Sequence, residues 1–271
     1  MIVNIYDDFD LYRIVESGQC FRPICIGDNV YRFIYQDKIL YIKQISSNEY
    51  DISCSEDDWE KVWKCYFNLD VSYADIRNSI STDDVYMKKC ADNSIGIRIL
   101  RQDKWEMLIS YIISQRKSIP AIRSSIEKIC KLCGENVQTS YEKIYLFPSA
   151  EQLMNADINE LATCGLGYRL PYIIDAANTI ANKPDLLEQI DALDDELLFN
   201  ILLSFKGVGM KVANCVMLFS YNRTGRAPVD VWIQRVIDEE YKGANPFENY
   251  GEYAGIMQQY VFFYRRLIDS K

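Results

Sequence analysis

The chain has 271 residues, of which 49 % are hydrophobic and 25 % are charged. This balance is typical of a soluble globular protein, excludes a disordered or collagen-like chain, and leaves room for two domains or one large one. Lysine and arginine number 30 against 39 aspartate and glutamate, so the formal net charge is −9. An acidic balance argues mildly against nucleic acid as a partner, although a local basic patch overrides such an average.

Histidine is absent from the sequence, which excludes Ser-His-Asp chemistry, Cys-His chemistry and histidine-ligated zinc. The 9 cysteines are odd in number and dispersed, so they form no disulfide framework. No apolar run reaches the roughly 18 residues of a membrane helix, and the start of the chain lacks the features of a signal peptide. We therefore expect a protein without membrane association, in the cytoplasm or on the nucleoid.

The first part of the chain is predicted to be β-rich. Three short segments rich in β-branched and aromatic residues follow one another at strand spacing: Val30–Tyr35, Ile39–Ile45 and Tyr50–Cys54. From Asp57 onward the pattern becomes helical. We predict an α+β protein with a small N-terminal antiparallel β-rich domain at residues 1–90 and a helical domain with a helix-hairpin-helix motif at residues 91–271.

Apolar residues at i, i+3, i+4 and i+7 predict several helices in the second part. One stripe starts at Trp105, a second at Ile122 behind Pro120, and a third at Tyr172. Ser149 and Gln152 have the spacing of a capping box.

Two further helical stripes are separated only by Gly207-Val208-Gly209, which predicts a tight hairpin between two helices. The amides of this turn and of Met210 would point outward at the start of the second helix, where a phosphate binds favourably. An ordinary helix–helix corner is the alternative.

Lys211 follows in the first turn of the second helix, and Asp230 opens the next helix after Pro228. Lys211 could be a solvated surface lysine, and Asp230 could be an N-cap. Together, an amine and a carboxylate at neighbouring helix starts suit glycosidic-bond chemistry through a Schiff base.

The run from Phe205 to Cys215 followed by Pro228-Val229-Asp230 resembles the signature of the helix-hairpin-helix base-excision DNA glycosylases, and most closely that of the 8-oxoguanine DNA glycosylases. Four other segments are similar to motifs of that family and occur in the same order: Ser17–Arg22, Gly96–Asp103, Gly165–Arg169 and Tyr253–Phe262.

This resemblance implies a bifunctional glycosylase and AP lyase that excises 8-oxoguanine from double-stranded DNA and then cleaves the strand by β-elimination. Lys211 is then the nucleophile that attacks C1′, and Asp230 supports the oxocarbenium-like transition state. The partner is duplex DNA containing a damaged base. We expect a monomer with no cofactor and no metal.

The resemblance also implies a pocket for a flipped base. The Gly18 carbonyl would accept the N7–H of 8-oxoguanine, Gln258 would bond the Watson–Crick edge, and Phe262 and Cys215 would sandwich the ring.

On the DNA-binding side, Tyr168 would wedge into the base stack and Arg169 would read the opposite cytosine. Arg116 and Lys117 stand where the animal enzymes have paired asparagines, and Ala121 replaces a second cytosine-reading arginine. These departures leave the preference for the opposite base open.

Two alternatives remain at this stage. One is a glycosylase of the same superfamily for oxidised pyrimidines or alkylated purines, and the other is a helix-hairpin-helix DNA-binding protein without catalysis. The sequence has no cysteine after Asp230, which excludes the iron–sulfur cluster of the endonuclease III-like relatives.

Overall fold

The computed structural model describes residues 1–269, and a five-stranded antiparallel sheet forms early in the chain in the order β1-β5-β4-β3-β2. Its strands are β1 Ile2–Asn4, β2 Ile24–Gly27, β3 Val30–Tyr35, β4 Lys38–Gln44 and β5 Glu49–Ile52. The three predicted strands are confirmed. The two edge strands β1 and β2, of 3 and 4 residues, were not among the predicted strands.

Helices dominate the remainder of the described chain, which confirms the α+β class. They are α1 Leu11–Glu16, α2 Glu56–Asp58, α3 Lys64–Tyr66, α4 Tyr73–Asn78, α5 Val85–Asp92, α6 Lys104–Ser114, α7 Ile119–Cys133, α8 Ala150–Met154, α9 Ile158–Ala162, α10 Leu170–Asn182, α11 Leu186–Gln189, α12 Asp195–Ser204, α13 Met210–Phe219, α14 Val231–Tyr241 and α15 Ala254–Asp269. A π-helical turn, Trp59–Trp63, joins α2 to α3. A small hairpin of β6 Asn136–Gln138 and β7 Lys143–Tyr145 interrupts the predicted helical run.

The chain divides into two compact units, which we call the sheet unit and the helical unit. The sheet unit consists of residues 1–33, residues 39–101 and the chain from Leu218 onward; the helical unit consists of residues 34–38 and 102–217. These units differ from the linear division at residue 90, because the C-terminal helices pack with the N-terminal part of the chain. The division at residue 90 stays a prediction.

The core of the sheet unit is an aromatic cluster around Phe67, which is fully buried. The ring of Phe67 meets the rings of Phe9 and Phe33 edge to face, with centroids 5.1 and 4.9 Å apart. Tyr66 and Trp63 extend the cluster. Such edge-to-face pairs add about 0.5–1.5 kcal/mol each beyond the area they bury.

A fully buried guanidinium, that of Arg98, lies beside this core. Its five N–H groups donate to the Asp7 carboxylate, at 2.9 Å, and to four backbone carbonyls, those of Asp8, Phe67, Asn68 and Val71. Its central carbon lies 4.3 Å from the centroid of the Tyr73 ring. Arg98 therefore ties the first residues of the chain to the segment between α3 and α4.

In the helical unit, α7 packs on α6 and α9, and α10 packs on α8 and α6. The capping box at Ser149 is confirmed, since its hydroxyl accepts from the Gln152 amide and the Gln152 side chain accepts from the Ser149 amide. Pro120 lies in the first turn of α7, as predicted. Helices α7 and α8 thus begin at the signals that the sequence provides.

Asp7 gives stability that depends on pH. Burial alone would raise the pKa of Asp7, but hydrogen bonds from Arg98 and from the amides of Tyr73 and Ala74 outweigh it, and the pKa is lowered from 3.8. A carboxyl group whose pKa is lowered on folding stabilises the fold at pH values above its pKa in the unfolded chain. This contribution is lost as the pH falls through its pKa in the folded protein.

We expect Asp7→Asn to lower the free energy of unfolding by about 1–3 kcal/mol at pH 7, because a hydrogen-bonded charge is lost beside a buried cation. In urea unfolding the difference should shrink as the pH falls below about 3.8, because Asp7 then takes up a proton in the unfolded chain before it does so in the folded one. Asp70→Asn is the control, since Asp70 is 63 % exposed in its ion pair with Arg101 and should cost under about 1 kcal/mol. An equal loss for Asp7→Asn at pH 7 and pH 3 contradicts this account.

Candidate active site

The predicted hairpin between α12 and α13 is present in the helical unit. Gly207 adopts a left-handed φ of 80°, and the Val208 amide donates to the Phe205 carbonyl at 3.0 Å. Gly209 and Met210 are exposed, Met210 at 69 %. The start of α13 is therefore exposed to solvent. The unpaired amides at the start of a helix are a favourable binding site for a phosphate.

Two side chains, those of Tyr172 and Gln115, hold the hairpin turn in place. A Cβ atom at Gly207 would lie 2.3 Å from a ring carbon of Tyr172, so no other residue fits without displacing that ring. The Gln115 side-chain amide donates to the Gly207 carbonyl at 2.9 Å. Sequence reasoning missed Tyr172 and Gln115 as supports of the turn, because both are distant from it in sequence.

Lys211 lies in the first turn of α13 and is half-buried. Its ammonium nitrogen lies 5.1 Å from the ring centroid of Tyr111, a buried residue of α6. Within residues 1–269 the Lys211 side chain makes no ion pair and no hydrogen bond. A ligand that binds this amine therefore displaces no such partner.

Asp230 is the N-cap of α14, in the sheet unit. Its Oδ1 atom accepts from the amides of Trp232, at 3.0 Å, and Ile233, at 2.9 Å. The other oxygen, Oδ2, makes no hydrogen bond within the described residues. The carboxylate is thus oriented by one oxygen and keeps the other for a ligand, so the capping role and a chemical role are compatible.

Gly18 lies in a segment of the sheet unit that two glutamines fix. Gln19 donates to the Arg98 carbonyl at 2.8 Å and to the Ser17 hydroxyl at 2.9 Å. Gln259, on α15, donates to the Ser17 carbonyl at 2.6 Å. Both glutamines are buried. The backbone at Gly18 is therefore held rigidly, and neither glutamine was predicted to have this role.

Gln258 and Phe262 lie one turn apart on α15 of the same unit. Gln258 is 5 % exposed, and its Oε1 atom has no hydrogen-bond partner within the described residues. A buried acceptor without a partner costs free energy, and a ligand donor would recover it. Phe262 is half-buried, with the guanidinium of Arg266 at 5.8 Å from its ring centroid. Cys215, the fourth predicted pocket residue, is buried on α13.

The loop between α6 and α7 carries two of the predicted DNA-binding residues. Arg116 is exposed and has a left-handed φ of 49°, which is uncommon for a residue with a side chain. Lys117 is half-buried instead, and its ammonium donates to the Gly165 carbonyl at 2.7 Å and to the Ser125 hydroxyl. Arg116 is thus more exposed to solvent than Lys117.

The turn at 165–169, before α10, presents an aromatic ring to solvent. Tyr168 is 51 % exposed, and the guanidinium carbon of Arg169 lies 4.4 Å from its ring centroid. Arg169 itself is only 6 % exposed and donates to the carbonyls of Leu166 and Gln115. The residue predicted to read an opposite base is thus bonded to the protein backbone in this structure.

Within residues 1–269 no group of three or more Cys, Asp or Glu side chains is arranged to hold a metal ion. Over the same residues, no helix has the length and apolar character needed to cross a bilayer.

A sheet unit, a helix-hairpin-helix turn with a lysine in the following helical turn, and a helix capped by aspartate define the class of helix-hairpin-helix DNA glycosylases. Residues 109–251 match the HhH-GPD superfamily of base excision DNA repair proteins. Residues 1–108 match the N-terminal domain of 8-oxoguanine DNA glycosylase. The chain belongs to the HhH-GPD superfamily, and it is a DNA glycosylase of base excision repair.

Named relatives agree with this assignment. A probable N-glycosylase/DNA lyase of Methanothermobacter thermautotrophicus is 32 % identical over 213 residues, which are 68 % of each chain. The 8-oxoguanine glycosylase/lyase of Clostridium acetobutylicum, solved with double-stranded DNA containing cytosine opposite 8-oxoguanine, is 32 % identical with a TM-score of 0.91 over 99 % of this chain and 98 % of that one. MBOgg1, solved with a low-affinity DNA ligand, is 33 % identical with a TM-score of 0.93 over 99 % and 96 %.

The two glycines of the hairpin should respond differently to alanine. Gly207→Ala places a methyl group against the Tyr172 ring and strains a positive φ, so we expect a loss of about 1–3 kcal/mol in the free energy of unfolding. Gly209→Ala is the matched control, because a Cβ there has no atom within 4 Å. Chemical denaturation measures both; equal stability of the two variants contradicts the packing described.

Proposed function

We propose that this protein excises 8-oxoguanine from duplex DNA and cleaves the strand through a Schiff base on Lys211. The observation that carries the proposal is the amine of Lys211, which lies directly after the hairpin turn and has neither ion pair nor hydrogen bond within the described residues. The printed names of the relatives, N-glycosylase/DNA lyase and 8-oxoguanine glycosylase/lyase, support the reaction type and the lesion.

In this mechanism the nitrogen lone pair of Lys211 attacks C1′ of the damaged nucleotide and forms a C–N bond. The N-glycosidic bond breaks, and the base leaves with the bonding electrons and takes up a proton. Opening of the sugar ring gives a protonated imine. Loss of a proton from C2′ then expels the 3′ phosphate, which is β-elimination.

Asp230 stabilises the positive charge that develops on the sugar during base loss. Its Oδ2 atom is the oxygen left after Oδ1 has accepted two amides, so the carboxylate is oriented before the substrate arrives. Preorganised charges of this kind commonly change rates by about 10²–10³-fold.

The flipped base is recognised by four residues in this proposal. The Gly18 carbonyl accepts N7–H, the buried Gln258 side chain bonds the Watson–Crick edge, and Phe262 and Cys215 cover the two ring faces. The unpartnered Oε1 atom of Gln258 supports its part, since a base donor would satisfy it.

DNA is held by the amides of residues 207–210 at the start of α13, which bind one phosphate. Tyr168 enters the base stack, and Arg116 occupies the gap left by the flipped nucleotide. Arg169 contacts the opposite base after its guanidinium leaves the Leu166 and Gln115 carbonyls that it bonds in this structure. Local groups of this kind act within a Debye length of about 10 Å, so a net charge of −9 does not prevent binding. We further propose that the protein acts as a monomer without a cofactor or a metal, on chromosomal DNA in the cytoplasm.

The direct test is borohydride trapping on duplexes with one 8-oxoguanine opposite each of the four bases. We expect release of the base and a covalent adduct for the wild type, and neither for Lys211→Gln, with lesion binding within a few-fold. Lys206→Gln is the control, because Lys206 is an exposed neighbour paired with Asp175. Trapping that persists in Lys211→Gln contradicts the assignment of the nucleophile.

The two roles of Asp230 can be separated with a second helix cap. Asp194 caps α12 in the same way, since its Oδ1 accepts the amides of Glu196 and Leu197 at 3.0 and 2.9 Å. Asparagine keeps a capping oxygen, so Asp230→Asn and Asp194→Asn should both retain nearly wild-type stability.

Single-turnover excision should nevertheless fall by about 10²–10³-fold in Asp230→Asn alone. Thermal melting and single-turnover rates measure the two effects. Normal excision by Asp230→Asn would reduce this residue to a helix cap.

A further inference from the structure

Three loops of the helical unit are joined by side chains that donate to backbone carbonyls. Gln115, at the end of α6, bonds the carbonyl of Gly207 in the hairpin turn. The guanidinium of Arg169 donates to the carbonyl of Gln115, and the ammonium of Lys117 donates to the carbonyl of Gly165. The α6–α7 loop and the 165–169 turn are thus cross-linked in both directions.

Lys117 is the central member of this arrangement. Its ammonium lies in a recess between the Gly165 carbonyl, at 2.7 Å, and the hydroxyl of Ser125 on α7. Within residues 1–269 it makes no ion pair with a carboxylate. Burial, and to a smaller extent the charges of Arg169 and Lys128, lower the pKa of Lys117. Burial and the neighbouring charges are unfavourable to the charged ammonium, and its hydrogen bonds to the Gly165 and Ser125 oxygens offset this effect.

The carbonyl that Lys117 bonds belongs to a turn whose shape needs support. Gly165 and Gly167 have left-handed φ values of 76° and 57°, a conformation that leaves a chain with two flexible points around one residue. The exposed ring of Tyr168 follows immediately. A charge-assisted hydrogen bond to the first glycine restricts this flexibility.

We propose that Lys117 is a positioning residue, which sets the conformation of the 165–169 turn so that Tyr168 is presented for insertion into duplex DNA. The inference rests on the proposed function, in which that turn enters the base stack. It differs from the sequence expectation for Lys117, which was a direct contact with DNA. A direct phosphate contact is the competing role, because the ammonium has three N–H donors and the Gly165 carbonyl and the Ser125 hydroxyl accept two of them.

The two roles differ in what they do to DNA binding. Each phosphate neutralised by a protein cation contributes about 0.9 to the slope of log K against log salt concentration. Loss of a phosphate-binding lysine therefore reduces this slope by about one. Loss of a positioning lysine leaves the slope unchanged and affects only the disturbance of the base stack.

The experiment uses a duplex with a tetrahydrofuran abasic-site analogue beside 2-aminopurine, whose fluorescence rises when stacking is lost. The variants are Lys117→Met, which removes the donor, and Ser125→Ala and Gly165→Ala, which alter the same recess without changing charge. Lys128→Met is the matched control, because it removes one positive charge from an exposed position on α7. Thermal melting verifies that each variant is folded.

We expect the wild type and Lys128→Met to give the full fluorescence increase. With saturating protein, Lys117→Met and Gly165→Ala should lose at least half of it, and Ser125→Ala a smaller part, while the salt slope stays at the wild-type value. A slope reduced by about one in Lys117→Met overturns the proposal in favour of a phosphate contact. Unchanged fluorescence in Lys117→Met, or no increase with the wild type, also overturns it. If Lys117→Met does not fold, the fluorescence of Gly165→Ala and Ser125→Ala decides: a reduced increase supports the proposal, and the full increase in both variants overturns it.

This assay does not depend on which base the enzyme removes. A wild type that fails to release 8-oxoguanine but gives a fluorescence increase dependent on Lys117 would refute the proposed function and leave the positioning role intact. Release of 8-oxoguanine together with a fluorescence increase that does not depend on Lys117 would support the proposed function and refute the positioning role.

Discussion

The buried guanidinium of Arg98 is the interaction on which the sheet unit depends. A charge without water is stable only when every N–H group has an acceptor, and Arg98 meets this condition with Asp7 and four carbonyls. The carbonyl of Arg98 itself accepts from Gln19. The charge that fixes the start of the chain thereby also fixes the segment that carries Gly18.

Side chains that donate to backbone carbonyls recur wherever a loop has to keep one shape. Gln259 holds the Ser17 carbonyl in the sheet unit, and Gln115 and Lys117 hold loop carbonyls in the helical unit. A loop carbonyl has no partner in a helix or a sheet, so a donor from elsewhere both satisfies it and fixes the loop. The loops that carry the proposed site residues are made rigid in this way, which reduces the conformational entropy that they would lose on binding DNA.

In the proposed mechanism, two side chains at helix starts take the roles that histidine has in many other active sites. Lys211 stands in the first turn of α13 and Asp230 at the N-cap of α14. A helix start orients a capping carboxylate through its free amides, and it keeps a neighbouring side chain near solvent and substrate. A repair enzyme can therefore present an amine and a carboxylate without the imidazole that other hydrolytic sites use.

The sequence by itself determined the elements whose signals are local. Apolar spacing gave the helices, the Ser149 capping box and Pro120 gave helix starts, and Gly207-Val208-Gly209 gave the hairpin, because each depends on residues within a turn or two. The same local pattern predicted that Lys211 lies in the first turn of a helix and that Asp230 is at a helix N-cap.

Only the tertiary structure decided which distant residues meet. It brought the chain after Leu218 back to the sheet unit, turned the Lys117 ammonium onto Gly165, and buried Arg169 against a carbonyl of Gln115. Sequence spacing does not encode these contacts, because they join segments about 50 or more residues apart whose approach depends on the packing of whole helices.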